Sequence, residues 1–133
     1  MNTTCLIIDD EKLARELLRE YLAAFPQIEI LGECSKGTEA VDQIDKLKPD
    51  LIFLDVQMPG MNGFDVLDEI IHEPYVIFTT AYDQYAIKAF EKNAVDYLLK
   101  PLDMDRFKLA VDRALQRRKM EDGNIEDLLS GMH

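Results

Sequence analysis

No run of apolar residues in this chain approaches the roughly 18 that a membrane span needs, so no spanning segment is expected. Basic residues are outnumbered, 15 Lys and Arg against 26 Asp and Glu, giving a formal charge of −11. Non-specific grip on a phosphate backbone comes from basic surface, so these residues are not expected to hold nucleic acid themselves. If DNA is the destination, another segment must carry the protein there. Cysteine is scarce. The only two, Cys5 and Cys34, both lie in apolar, strand-like stretches. Reduced, buried thiols in a cytoplasmic protein are the expectation. The opening residues MNTTCLIIDD carry no basic region and no cleavage pattern, so no signal peptide is expected. What remains is ordinary for a globular domain: 133 residues, 47% hydrophobic and 31% charged, enough for one core.

Hydrophobic patterning alternates between strand and helix along the chain. Cys5–Ile8 is a short apolar run closed by Asp9-Asp10-Glu11. Leu13, Leu17, Leu18, Tyr21, Leu22 and Phe25 then recur at helical spacing, and Pro26 closes the segment. Ile28–Cys34 reads as a strand, and Gly37-Thr38 opens a helix carrying Ala40, Val41, Ile44 and Leu47. After an apolar run at 51–54 comes a helix near 64–71, ended by Pro74. Tyr75–Thr79 is rich in β-branched and aromatic residues and reads as a strand. Ala86, Ala89 and Phe90 mark a fourth helix, and Val95–Leu99 a fifth strand stopped by Lys100-Pro101. Asp103 can cap a last helix, with Phe107, Ala110, Val111, Ala114 and Leu115 inward and Arg117, Arg118 and Lys119 at its carboxyl end. The units recur at about 20 to 24 residues, a period compatible with leucine-rich repeats, but no residue pattern is shared between them. Alternation of this kind implies a parallel sheet with right-handed crossovers and helices on both faces. One domain is expected over residues 1–120, and 121–133 reads as a tail or the start of a linker. Its apolar content is little beyond Ile125, Leu128 and Leu129.

The stretch LIFLDVQMPGMNG, residues 51–63, organises the rest. Four apolar residues run into Asp55, and Met58-Pro59-Gly60 and Asn62-Gly63 follow as turn signals. A fully apolar run so bounded is a buried parallel strand, and the carboxyl edge of an open α/β sheet is where ligands gather. Taken by itself, Asp55 has two readings, a turn cap or a chemical group. The other strand ends bring Asp9, Asp10, Thr80 and Lys100 to the same edge. Three unpaired carboxylates there would repel one another, and a hard cation such as Mg²⁺ relieves this with carboxylates, waters and a phosphate oxygen. A carboxylate beside such a cation, with a Lys and a hydroxyl facing the same space, is equipped to accept a phosphoryl group.

Asp9-Asp10, LDVQMPGMNG around Asp55, Thr80-Ala81 and Asp96-Tyr97-Leu98-Leu99-Lys100-Pro101 occur in order, each at a strand end. Together they resemble the receiver domain of two-component response regulators, over roughly residues 3–120. The resemblance implies a flavodoxin-like fold, with five parallel strands in the order 2-1-3-4-5 and helices on both faces. It implies Asp55 as phosphoacceptor, and Mg²⁺ (or Mn²⁺) held by Asp10, Asp9, Asp55 and the main-chain carbonyl of Gln57. Thr80, Ala81 and Lys100 would bind the phosphoryl group, and the Lys100-Pro101 peptide would be cis, a form that proline adopts at small cost. Thr80 and Tyr97 match the family's switch pair. Gln57 and Tyr82 match positions that set the rate of hydrolysis, where bulky Tyr82 would shield the acyl phosphate. The implied partners are a sensor histidine kinase and, on phosphorylation, a second copy of the chain, with no membrane.

The stretch Ala81–Phe90 is more specific. It looks like LytTR-type regulators, in which a receiver precedes a β-rich DNA-binding domain absent from these residues. A stand-alone receiver acting through protein contacts or a phosphorelay is the alternative. Such a chain is not an enzyme beyond its own phosphorylation and dephosphorylation. Two enzyme-like readings fit less well. A phosphatase of the haloacid-dehalogenase type needs an acid where Gln57 stands, and a flavin module needs a phosphate-cradling loop where Asp9-Asp10-Glu11 stands. A receiver that only mediates contacts is disfavoured because the full set of residues is present. His72 and His133 are assigned no role, and the methionines near Asp55 read as loop and core packing.

Overall fold

The computed structural model describes residues 2–122. Ile125, Leu128, Leu129 and His133, read from the sequence as tail residues, lie outside the described residues. Five strands, β1 (Thr3–Ile8), β2 (Ile28–Cys34), β3 (Leu51–Asp55), β4 (Tyr75–Thr80) and β5 (Asp96–Leu99), form one sheet in the order β2-β1-β3-β4-β5. Every neighbouring pair is parallel. The helices between and after them are α1 (Lys12–Leu22), α2 (Gly37–Leu47), α3 (Gly63–Glu69), α4 (Ala86–Glu91) and α5 (Met104–Asp122), with one 3-10 turn at Asp83–Tyr85. This is the flavodoxin-like arrangement expected for a receiver. Among the described residues no helix is long and apolar enough to cross a membrane.

The apolar run at 51–54 makes β3 the central strand because it is buried on both faces, with every residue closed to solvent. Alternation then divides the core. Cys5, Ile7, Phe53 and Ile77 face one layer with Leu18 and Leu22 of α1 and Phe107, Ala110 and Val111 of α5. Leu6, Ile8, Ile52, Leu54 and Phe78 face the other, with Ala40, Ile44, Phe64, Val66 and Ala89. Phe107 stacks on Phe53 with ring centroids 5.6 Å apart, which seats α5 against the centre of the sheet. Cys5 and Cys34 are free, buried and in opposite layers, and burial pushes each thiol up to about 12.

Several elements differ from the sequence reading, each for a local reason. The third helix ends at Glu69 rather than near Ile71, because the amides of Ile71 and His72 turn away to the Asp45 carboxylate, each with a 3.0 Å bond. Ile71 is left 88% exposed. Leu13 and Phe90 fit helical spacing but lie on the solvent side, at 79% and 83% exposure. Asp103 does cap α5, accepting the Arg106 amide at 2.9 Å. That helix runs on to Asp122, past the boundary expected at 120. Arg118 turns back to the sheet, to Thr3 and Asp50, instead of serving the helix end.

Candidate functional site

Parallel register carries the strand ends to one edge. Ile8 pairs with Leu54, Asp55 with Thr79, and Thr80 with Leu99, so the residues that follow or end these strands are neighbours. Asp9 is wholly buried and Asp55 is 2% exposed, whereas Asp10 is open to solvent. One carboxylate oxygen from each of Asp9, Asp10 and Asp55 lies within 4.8 Å of the others. Asp9 Oδ1 accepts the Glu11 amide at 2.9 Å, and Asp55 Oδ1 accepts the Gln57 amide at 3.2 Å. Glu11 stands at the N-cap of α1, with no side-chain capping bond.

Lys100 enters this cluster from the end of β5. Its Nζ donates to Asp9 Oδ2 at 2.9 Å and lies 3.6 Å from Asp55 Oδ2 and 3.5 Å from Glu11 Oε1. Burial alone would lower the ammonium's pKa, but the Asp9 bond and the Asp55, Asp9 and Glu11 charges outweigh it and raise it. For Asp55 the balance is reversed. Burial first, then the Asp9 charge, push its carboxyl up to about 7, against the pull of Lys100 and the Gln57 amide. A single ammonium does not neutralise the cluster. An all-oxygen set with two buried carboxylates suits a small hard cation better than a soft one.

The remaining positions fall around this centre. Thr80 is fully buried at the end of β4; its Oγ1 accepts the Tyr82 amide at 3.2 Å, and its carbonyl accepts the Lys100 amide at 2.7 Å. Ala81 follows it as an exposed residue. The Lys100-Pro101 peptide is cis. Tyr97 is half-buried, pairs with Phe78 in register, and donates its hydroxyl to the main-chain oxygen of Tyr82. The turn after Asp55 is held by its glycines and Asn62. Gly60 has φ +83°, and a Cβ at Gly63 would sit 2.6 Å from the Asp55 carbonyl oxygen, so α3 starts flush against the acceptor. Asn62 completes a capping box with Asp65. Met58 is buried, as core packing requires.

Four features escaped the sequence reading. Tyr85 bonds the Gln57 side chain through its hydroxyl, and nothing in the spacing connects positions 57 and 85. Asp96 is paired with Arg106 and Arg113, residues of a helix whose facing side is set only by packing. Glu11 joins Asp9 and Asp55 around Lys100. His72, given no role, has a ring nitrogen 2.6 Å from the Pro49 carbonyl.

Compared with known proteins, the chain matches the family described as response regulator receiver domain over residues 5–112. The chain belongs to the response regulator receiver family. Its relatives include the transcriptional regulatory protein BtsR of Escherichia coli (strain K12), 49% identical over 122 residues. That match covers 90% of this chain and 51% of BtsR. An uncharacterised response regulatory protein of Vibrio cholerae is 50% identical over 121 residues, with 90% and 51% covered. The receiver thus spans about half the length of these relatives. Among solved structures it resembles the signal receiver domain of a putative LuxO repressor protein from Vibrio parahaemolyticus, at 34% identity and TM-score 0.82, covering 92% of this chain and 96% of that one. The response regulatory domain of mrkE from Klebsiella pneumoniae is 30% identical with TM-score 0.79, at 86% and 97% coverage. A receiver is a regulatory element of two-component signalling.

Proposed function

We propose that this receiver takes a phosphoryl group on Asp55 from a sensor histidine kinase, with Mg²⁺ (or Mn²⁺) held by Asp9, Asp10, Asp55 and the Gln57 carbonyl. The observation that carries the reading is the buried Asp55 with two further carboxylates and the Lys100 ammonium at one sheet edge. An Asp55 oxygen attacks phosphorus as the bond to the leaving group breaks, and the leaving group takes the electron pair. The cation, when bound, offsets charge on the phosphoryl oxygens and favours the ionised acceptor. Lys100, 3.6 Å from Asp55 Oδ2, contributes a second positive charge, and the Thr80 hydroxyl and Ala81 amide would supply donors. Tyr97, tied to the segment after Thr80, is suited to follow any movement of that segment. The hydrolysis-rate roles belong to Gln57 and Tyr82.

In this reading the kinase docks in the groove lined by Asp9, Leu13, Leu17, Lys100, Pro101 and Leu102. Exposed Leu13 supplies an apolar contact there, close to the acceptor. Output passes through α4, β5 and α5 to a LytTR-type DNA-binding domain beyond residues 121–133, and phosphorylation drives self-association in the cytoplasm. That the match covers 51% of BtsR, which is named as a transcriptional regulator, supports a division into a receiver (1–120) and a further segment. The test is intact mass after incubation with Mg²⁺ and acetyl phosphate. One phosphoryl group on the wild type, lost with chelator and absent from Asp55→Asn, is expected. Equal gain in both proteins would remove Asp55 as the acceptor.

A further inference from the structure

Two side chains from neighbouring strand-end loops meet beside the site. Gln57 leaves the β3–α3 turn two residues after Asp55, and its Nε2 donates to the hydroxyl of Tyr85, the last residue of the 3-10 turn before α4. β3 and β4 are adjacent, with Asp55 opposite Thr79, so this bond joins the loop that follows Asp55 to the loop that follows Thr80. The Tyr85 ring is itself anchored. It lies against Phe64, with ring centroids 6.0 Å apart, and meets the Tyr82 ring edge-on at 6.2 Å. Tyr82 in turn accepts the Tyr97 hydroxyl through its main-chain oxygen. Gln57 is exposed and long, and without a tether its carboxamide would sample many rotamers. The tether fixes it to a half-buried aromatic.

We propose that Tyr85 is a positioning residue that holds the Gln57 carboxamide across the approach to Asp55 and thereby lengthens the life of the phosphorylated state. The inference rests on Asp55 being the acceptor. Hydrolysis of the acyl phosphate needs a water to reach phosphorus, with the P–O bond to Asp55 breaking and the carboxylate leaving. A tethered amide over that approach restricts the water, and a free one leaves it open. Because Tyr85 begins the segment that continues into α4, any movement of that helix would lengthen or break the tether. Phosphoryl lifetime and the state of α4 are then linked through a single hydrogen bond.

Tyr85→Phe removes the hydroxyl and keeps the ring against Phe64, so the fold is preserved. The experiment loads wild type, Tyr85→Phe, Gln57→Ala and the double variant with acetyl phosphate and Mg²⁺, removes the donor, and follows phosphoryl loss by intact mass. Tyr85→Phe is expected to accelerate loss on the order of fivefold, the rate equivalent of one neutral hydrogen bond. Gln57→Ala should accelerate it at least as much, and the double variant should be no faster than Gln57→Ala alone. Independent, multiplying effects, or a Tyr85→Phe rate equal to wild type, would overturn the inference while leaving the acceptor reading intact. A purely structural role would instead lower the thermal midpoint and leave the rate of phosphoryl loss unchanged. Absence of phosphoryl uptake by every variant would overturn both readings together.

Discussion

At the scale of single residues the site is defined by a conflict that the fold does not resolve internally. Asp55 is buried beside Asp9, and its carboxyl is raised to about 7 from an ordinary value of 3.8. Between those values the folded chain holds a proton that the unfolded chain has released, so stability falls as pH rises through that window. Above pH 7 the whole penalty is present; below the ordinary carboxyl range it vanishes. Asp55→Asn removes the charge and keeps the shape. In chelator at pH 8 the variant should therefore be the more stable protein, on the order of 2–4 kcal/mol by proton linkage, with the gap closing near pH 4. Thermal unfolding of both proteins across that range measures it. A gap independent of pH would show that the Asp55 charge is already neutralised by Lys100. The same conflict makes the site receptive to added positive charge, which is why burial here points to chemistry instead of a structural ion pair.

At the scale of elements, β5 and α5 are joined by charge as well as by the apolar layer. Asp96 opens β5 with its side chain 8% exposed, and Arg106 binds it through two bonds of 2.8 and 2.6 Å. Arg113 adds one of 2.9 Å. Burial by itself would raise the Asp96 carboxyl, but the Arg106 bonds and the Tyr97 amide outweigh it and hold it below the usual range. A depressed carboxyl contributes stability above its unfolded value and loses it as pH falls through the folded one. Arg106→Ala should cost about 1–2 kcal/mol at pH 7, discounted for the half-exposed guanidinium, and the loss should fade in acid. Arg106→Lys should restore only part of it, because an ammonium cannot offer the paired donors. Denaturant unfolding at pH 7 and at pH 3 separates the two contributions. No spacing rule predicts this pairing. The inner strands β1, β3 and β4 were legible because burial on both faces writes near-continuous apolar runs, and the partly exposed edge strands β2 and β5 because breaks bound them. The acid pair, Asp55, Thr80 and Lys100 were legible because each ends or follows a strand. Helix faces were less so. Periodicity identifies α1 and α4 but does not say that Leu13 and Phe90 look outward, since that depends on which side the sheet covers. The end of α3 depends on Asp45, a residue of another helix, and is equally invisible along the chain.

At the scale of the molecule the question is how a charge change at one sheet edge reaches a partner. Moving a two-state equilibrium from 1:99 to 99:1 takes about 5.5 kcal/mol of differential binding, more than the roughly 1.5–3 kcal/mol of one charge-assisted bond. If phosphorylation of Asp55 drives such a shift, Thr80 alone would be insufficient, and Lys100 with the strand-end loops would have to contribute. The segment from Thr80 runs directly through Tyr82 and Tyr85 into α4, a helix of six residues with one buried side chain, Ala89. So short and shallowly seated an element is inexpensive to shift. It also carries the largest outward apolar groups of that region, Phe90 at 83% and Ile87 at 76% exposure, and Leu99 of β5 is exposed at 47%. Patches of this kind are left open when something covers them in another state. Net charge of −11 opposes association of two copies, so apolar contact has to supply the attraction. Phe90→Asp adds a further negative charge at the centre of the patch without touching the acceptor or the core. Sedimentation after treatment with acetyl phosphate and Mg²⁺ should show wild type shifting from monomer to dimer and the variant remaining monomeric. Intact mass should show equal phosphoryl uptake by both. If Phe90→Asp dimerises as readily as wild type, the pairing surface lies elsewhere and α4 transmits the signal without contacting the partner.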